Sequence, residues 1–438
     1  MDTRKKTAVI VGAGFAGLRA AKQLAKANFS VVLLDRNNYH LFQPLLYQVA
    51  TAGLEPEHIA KPVRSVLGKR TGIQFRMAEV TDIDHPGKVV HTNQGDVRYD
   101  FLLLAPGGEP EFFGLRALRQ DAFPLKGLED AVSIRNHVLR CFEEASMEQE
   151  LAQRPERLTF AIVGAGPTGV EMAGALRELA DVLVHEDYPR LPAEDVKILL
   201  IEAKDRLLPA MPPELGSASQ GILRRKGVEV LLGEAVRDYD GRQLRLVSGR
   251  TVTTRTVLWA AGVRAAGIVD KLALPPGPMG RIRVEPTLQV PGYPDVFVLG
   301  DAAYLEHDGL PLPMMAPVAV QMADLAAGNI RRILQGKEVQ TFRYRDPGSL
   351  ATIGRNAAVA DVRGLKFRGF VAWIVWLLVH LVNLIGFRNR LLVLITWSWE
   401  YLTFDRAVRI ITGHGRDGDP GERPGGPEAA QQEAMHPR

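Results

Sequence analysis

Short, wholly apolar, β-branched runs alternate along this chain with longer stretches in which apolar residues recur every three or four positions. The first kind reads as strands buried on both faces, the second as helices packed by one face. Two such units stand out because they repeat. Ala8-Val-Ile-Val-Gly-Ala-Gly-Phe-Ala-Gly17 returns as Phe160-Ala-Ile-Val-Gly-Ala-Gly-Pro-Thr-Gly169. Each run is followed by a helical pattern and then by a second apolar strand ending in an acid, Ser30 to Asp35 and Val196 to Glu202. Further strands are predicted at Phe101 to Ala105, Thr256 to Ala260 and Val296 to Leu299, and helices over Val132 to Glu144 and from about Met315. The proline-rich stretch from Leu274 reads as a connection between domains. From Gly364 the pattern changes. Phe370 to Phe387 carries no charge, and Leu391 to Phe404 is nearly as apolar, with Glu400 inside it. After Gly413 no apolar periodicity is left, and a disordered tail is expected.

The glycines carry the first chemical reading. In a strand–turn–helix unit the spacing G-x-G-x-x-G lets the chain turn tightly at Gly12, approach a pyrophosphate at Gly14 and pack helix on strand at Gly17. The free N–H groups at the helix start suit a diphosphate, and Asp35 suits ribose hydroxyls. Gly164, Gly166, Gly169 and Glu202 repeat the arrangement. Two Rossmann-like nucleotide sites in one polypeptide follow. A carboxylate at Glu202 favours a 2′-hydroxyl over a 2′-phosphate and so NADH over NADPH, with Arg206 nearby weakening the preference. Asp301, at the end of Val296-Phe-Val-Leu-Gly-Asp301, is placed to accept hydrogen bonds from a ribitol chain or simply to start a helix.

Composition narrows the class. The chain has 438 residues, 46% hydrophobic and 24% charged, which suits two to three globular domains. Fifty-four Lys and Arg against 50 Asp and Glu leave +4, too thin an excess for a nucleic-acid binder. A single cysteine, Cys141, excludes an intrachain disulfide, a cysteine zinc cluster and a redox dithiol. The histidines show no metal-ligand spacing. The basic start, Met1 to Lys6, runs into an apolar stretch interrupted by Arg19 and Lys22, and a cytoplasmic chain without a signal peptide is expected.

The paired fingerprints and Val298-Leu-Gly-Asp301 resemble the two-dinucleotide-binding-domain flavoproteins. Asn38-Tyr-His-Leu-Phe-Gln-Pro-Leu-Leu-Tyr-Gln-Val-Ala50 and Phe342-Arg-Tyr-Arg-Asp-Pro-Gly-Ser-Leu-Ala-Thr-Ile-Gly354 narrow the resemblance to the type II, non-proton-pumping NADH:quinone oxidoreductases, over residues 7 to 412. The resemblance implies FAD at the first fingerprint, NADH at the second, and a quinone (ubiquinone or menaquinone) as acceptor. It places FAD contacts on Gly12, Gly14, Gly17, Asp35 and Asp301, the adenine at backbone groups of Val80, and the flavin near Ala316. It also brings Glu171 to the contact between nicotinamide and flavin, whereas the residues alone equally allow a glutamate complementing its helix dipole. Two departures bear on the detailed quinone contacts and on the loop beside the flavin, not on the flavin itself. The family pattern Ala-Gln-x-x-x-Gln is here Ala316-Pro317-Val-Ala-Val-Gln321, leaving Gln321 alone, and Pro106-Gly107-Gly108 stands where Thr-Gly is common. Without a second thiol, the disulfide reductases and sulfide:quinone oxidoreductases of the same superfamily are excluded.

The expected architecture is therefore α/β: two Rossmann-like domains, the second inserted in the first, plus a C-terminal membrane-associated helical region. The boundaries read as 1–115 and 276–335 for the FAD domain, 116–275 for the NADH domain, 336–412 for the membrane region and 413–438 for the tail. Phe370 to Phe387 would span about 27 Å as a helix, at the lower edge of crossing a bilayer. Arg363, Lys366 and Arg368 precede it, Arg388 and Arg390 follow it, and Trp373, Trp376, Trp397, Trp399 and Tyr401 suit an interface. Monotopic insertion of residues 365–412 into lipid on the cytoplasmic side of the inner membrane is preferred over a single span, which stays open, as does a homodimer. The alternative function is a soluble NADH-dependent reductase of a ferredoxin or other protein carrier.

Overall fold

The computed structural model describes residues 5–68, 72–147, 154–403, 406 and 408–412. The expected tail, 413–438, lies outside them. In chain order the elements that position the sites are β1 (Thr7–Val11), α1 (Phe15–Lys26), β2 (Ser30–Asp35), α2 (Leu46–Ala50), β3 (Ile73–Met77), β4 (Phe101–Leu104), β5 (Gly108–Pro110), β6 (Phe123–Pro124), α3 (Leu128–Ser146), β7 (Thr159–Val163), α4 (Pro167–Val182), β8 (Lys197–Glu202), β9 (Val228–Leu232), β10 (Thr256–Trp259), β11 (Val263–Ala265), β12 (Gln289–Val290), β13 (Tyr293–Val298), α5 (Ala316–Leu334), β14 (Ser349–Thr352), β15 (Ala358–Val362), β16 (Leu365–Gly369), α6 (Phe370–Asn383) and α7 (Phe387–Thr403).

Two separate sheets form from the two repeats. The first runs β12-β13-β4-β1-β2-β3, parallel except for β12 against β13. The second runs β6-β10-β7-β8-β9 and is parallel throughout. Because both faces are covered, by helices and by small antiparallel sheets such as the one carrying Tyr239, Leu244 and Val252, the central strands are apolar at nearly every position: Ala8 to Val11 and Thr159 to Val163 are buried without interruption. The antiparallel pair β5–β11 is the crossing between the sheets. Ala265, Val269, Leu272 and Leu274 are already buried in the core of the first sheet, so the chain returns near Val263, ahead of the proline-rich stretch and of the expected boundary at 275.

The C-terminal region is an antiparallel sheet β14-β15-β16 followed by two helices. Here the expectation of one apolar helix over residues 370–387 is corrected. The helix stops at Asn383, whose side chain bonds back to the Val379 carbonyl, and Gly386 takes φ +92° before α7 begins. The ladder ends at Leu384, whose N–H still bonds the His380 carbonyl but whose backbone turns extended (ψ 133°). No helix among the described residues is long and apolar enough to cross a membrane. One face of the hairpin is in the core, through Ala372, Trp376 and Val393 packed with residues 42–54 and α4. The other face is bare: Phe370, Val371, Leu378 and Val382 on α6, and Phe387, Ile395, Trp399 and Leu402 on α7 are exposed, Phe387 at 81% and Leu402 at 75%.

Candidate functional site

The two fingerprints have the same geometry. Gly12 sits at φ +98°, and a Cβ there would lie 2.1 Å from the Ala105 carbonyl oxygen, where β4 ends. At Gly17 a Cβ would meet the Gly12 carbonyl oxygen at 1.8 Å. At Gly14 it would meet nothing within 4 Å. Gly164 (φ +98°), Gly169 and Gly166 repeat these three conditions, with Ala261 as the crowding partner of Gly164. So two glycines of each set are required by the fold, while the middle one borders an open cradle. α1 and α4 both start at that cradle with no side-chain cap and no acid in the first turn, leaving their first N–H groups for an anion.

The acids close each cradle. Asp35 accepts from the Ala13 N–H (2.6 Å) and the Asn37 N–H (2.7 Å), and Glu202 from the Ala165 N–H (2.7 Å) and the Lys204 N–H (2.9 Å). Each oxygen keeps a lone pair for a ribose hydroxyl. Burial pushes the Asp35 carboxyl up, and the two backbone donors oppose it. Val80 stands two residues beyond Ala78, whose N–H donates to the Asp35 carbonyl, and lies opposite Thr92 in a small antiparallel sheet. Asp301 follows β13 at the same edge of the first sheet. Its carboxylate is 3.4 Å from the Lys126 ammonium and 3.1 Å from where a Cβ on Gly108 would be, so the Pro106–Gly108 loop does come to this point. Ala316 opens α5, with Pro317 at a position whose N–H no helix uses.

Gln321 and Glu171 are brought to different neighbours and share no hydrogen-bond partner. Gln321 bonds Arg345 twice, Nε2 to its carbonyl (2.8 Å) and Oε1 from its N–H (3.0 Å), and so ties α5 to the 342–347 segment. A groove of about 1150 Å³, lined by Gln321, Phe342, Arg345 and Arg363 among others, runs along this join. Glu171 does not turn back to its own helix N-terminus. Its Oε1 reaches the Trp376 indole N–H (3.2 Å) on α6 and the Thr352 N–H (3.4 Å) on β14. It is 7% exposed, and desolvation raises its carboxyl to about 8, the two donors working against that rise. Beside it lie residues that sequence reasoning did not single out. Tyr47 is wholly buried, its hydroxyl pushed well up by desolvation, and it accepts from Gln48 Nε2 (2.9 Å), while Gln48 Oε1 accepts from the Trp397 indole (2.8 Å). His380 stacks on Trp376 at 4.1 Å between centroids and is pushed down to about 4 by burial. The one signal for Tyr47 and Gln48 was the Asn38–Ala50 motif, which did not say what they would face. Cys141 is buried beside His137. No group of three His, Cys, Asp or Glu among the described residues could hold a metal ion.

Comparison with known proteins agrees with this geometry. Residues 6–323 match the pyridine nucleotide-disulphide oxidoreductase family and residues 347–406 the NDH2 C-terminal domain. The chain is 37% identical over 426 residues to the type II NADH:quinone oxidoreductase Ndh of Mycobacterium tuberculosis, covering 93% of this chain and 91% of that one. It is 31% identical to the Staphylococcus aureus type II NADH:quinone oxidoreductase, covering 84% and 92%. NDH2 of Plasmodium falciparum in complex with NADH has the same fold, with TM-score 0.85 at 19% identity, covering 94% of this chain and all of that one. Two open glycine cradles with their acids, a superfamily match over both sheets and relatives alike over nearly the whole length lead to one assignment: the chain belongs to the type II NADH:quinone oxidoreductase family.

Proposed function

We infer that the chain oxidises NADH at the second fingerprint and reduces a quinone, with FAD held at the first. The observation that carries this is the pair of open cradles at Gly14 and Gly166 in a chain whose relatives are type II NADH:quinone oxidoreductases. FAD supplies the acceptor for the hydride of NADH and the donor of two electrons to the quinone.

The residues divide the remaining work. Gly12, Gly14 and Gly17 with the α1 N-terminus hold a diphosphate, Asp35 a ribose, Val80 the adenine and Asp301 the ribitol chain, with the flavin against Ala316. Gly164, Gly166 and Gly169 with the α4 N-terminus hold the NADH diphosphate. Glu202 accepts its ribose hydroxyls and repels a 2′-phosphate. Glu171 holds a proton at a nearly buried position, and Gln321 fixes the 342–347 segment toward the acceptor side. The bare apolar faces of α6 and α7 support monotopic insertion into lipid, with Arg388 and Arg390 at headgroups, and the quinone reached from that side.

The test is steady-state NADH oxidation by the full-length, FAD-loaded protein in detergent. A short-chain quinone is the acceptor, and a ferredoxin and NADPH serve as controls. Quinone-dependent turnover with NADH is expected. Turnover with ferredoxin and none with quinone would overturn the reading in favour of a soluble-carrier reductase.

A further inference from the structure

Trp376 is 1% exposed although the helix that carries it shows a bare apolar face to either side, at Ile374 and Leu378. A buried indole needs a partner for its N–H, and the partner is Glu171 Oε1 at 3.2 Å. The Thr352 N–H reaches the same oxygen, and among the described residues Oε2 has no hydrogen-bond partner. With Oε1 already accepting from two N–H donors, a proton bound by this acid has its place on Oε2.

We propose that Trp376 is a positioning residue for the reaction, its indole N–H pinning Oε1 of Glu171 so that the exchangeable proton is carried on Oε2. The proposal rests on the reading of Glu171 given above and deepens it. The charged and titratable groups around the acid leave this task to the indole. Tyr47 on α2 has its hydroxyl oxygen against Gln48 Nε2, from which it accepts. His380, one turn along α6, spends Nδ1 on the Trp376 carbonyl at 2.8 Å. Glu178, two turns along α4, is paired with Lys226 (2.7 Å) and Arg406 (3.0 Å). Among the described residues no cation pairs with Glu171, and a cation in Trp376's place would hold the carboxylate ionised. A neutral donor fixes the geometry and leaves the proton in place.

The experiment compares parent, Trp376→Phe, Glu171→Gln and the double variant, each full-length and FAD-loaded. Flavin reduction by NADH and reoxidation by a short-chain quinone are followed separately from pH 5 to 10. The carboxylic C=O band is read in redox-difference infrared spectra. Benzothienylalanine at position 376, which keeps the ring shape and lacks the N–H, covers the case in which phenylalanine unsettles the core. Losing a donor to the carboxylate should move the midpoint of the reoxidation profile up by about one unit, a tenfold change, with the C=O band shifted to higher frequency. Neither change should appear in the Glu171→Gln background. A uniform loss of rate at every pH, with midpoint and band unmoved, would make Trp376 a packing residue only and overturn the proposal. If Glu171→Gln itself leaves both profiles unchanged, the parent reading of Glu171 fails, and that outcome is distinct from a failure of Trp376.

Discussion

Replacing Glu171 by Gln should make the protein more stable above neutral pH, not less. The carboxyl is buried, with its ordinary value of 4.5 raised to about 8 chiefly by desolvation. The folded chain therefore holds this proton more tightly than the unfolded chain. Below about pH 4.5 both states are protonated and the site costs nothing. As pH rises from 4.5, the unfolded chain releases its proton and gains, until the folded chain also ionises near pH 8. The full loss over that window is about 3.5 × 1.36, or roughly 5 kcal/mol, and about 3 kcal/mol of it has accrued by pH 7. Glutamine keeps an acceptor for the Trp376 and Thr352 N–H groups and never ionises. The assay is thermal unfolding of parent and variant, both FAD-loaded, from pH 4.5 to 9. The variant's advantage in Tm should be near zero at pH 4.5, grow to several degrees by pH 8, and then level off. An advantage that is flat across this range, or one that shrinks as pH rises, would refute a buried neutral acid at Glu171.

Further outcomes follow from the same geometry. Gly14→Ala should fold and lose FAD affinity about tenfold to a hundredfold, because its Cβ enters an open cradle, whereas Gly17→Ala collides with the Gly12 carbonyl and should fail to accumulate as folded protein; flavin titration and solubility separate the two. Gly166→Ala should keep its flavin and raise the KM for NADH, and Glu202→Arg should raise use of NADPH relative to NADH, with unchanged cofactor preference removing Glu202 from the site. Val382→Gln, Phe387→Gln and Leu402→Gln combined should cut partition into lipid vesicles by at least about tenfold while NADH still reduces the flavin, and undiminished binding would remove these faces from the lipid contact.

What could be read from the sequence was what a local rule enforces. Gly12 and Gly164 need a positive φ beside a neighbouring strand, and that requirement shows as a motif. The strands of the two parallel sheets are legible because both faces are covered, so their apolar runs are continuous. Glu171 shows where such rules stop. By position it suits a helix dipole, but its partners come from β14 and α6, 181 and 205 residues away, and no spacing announces that meeting. The end of α6 is hidden for a related reason: Leu384 to Gly386 is as apolar as the helix before it, and the break lies in the extended backbone of Leu384 and the positive φ of Gly386. Deleting residues 365–438 would withdraw Ala372, Trp376 and Val393 from the core, so substitutions confined to the bare face isolate lipid contact from folding.

The most direct test of the central claim is a single turnover in two steps. NADH, in one equivalent, is first mixed anaerobically with the full-length FAD-loaded protein, and the reduced protein is then mixed with a short-chain quinone. Rapid bleaching of the flavin by NADH and equally prompt recovery of its absorbance with quinone is the result the account requires. Bleaching without recovery by quinone, and with recovery by a ferredoxin, would contradict it.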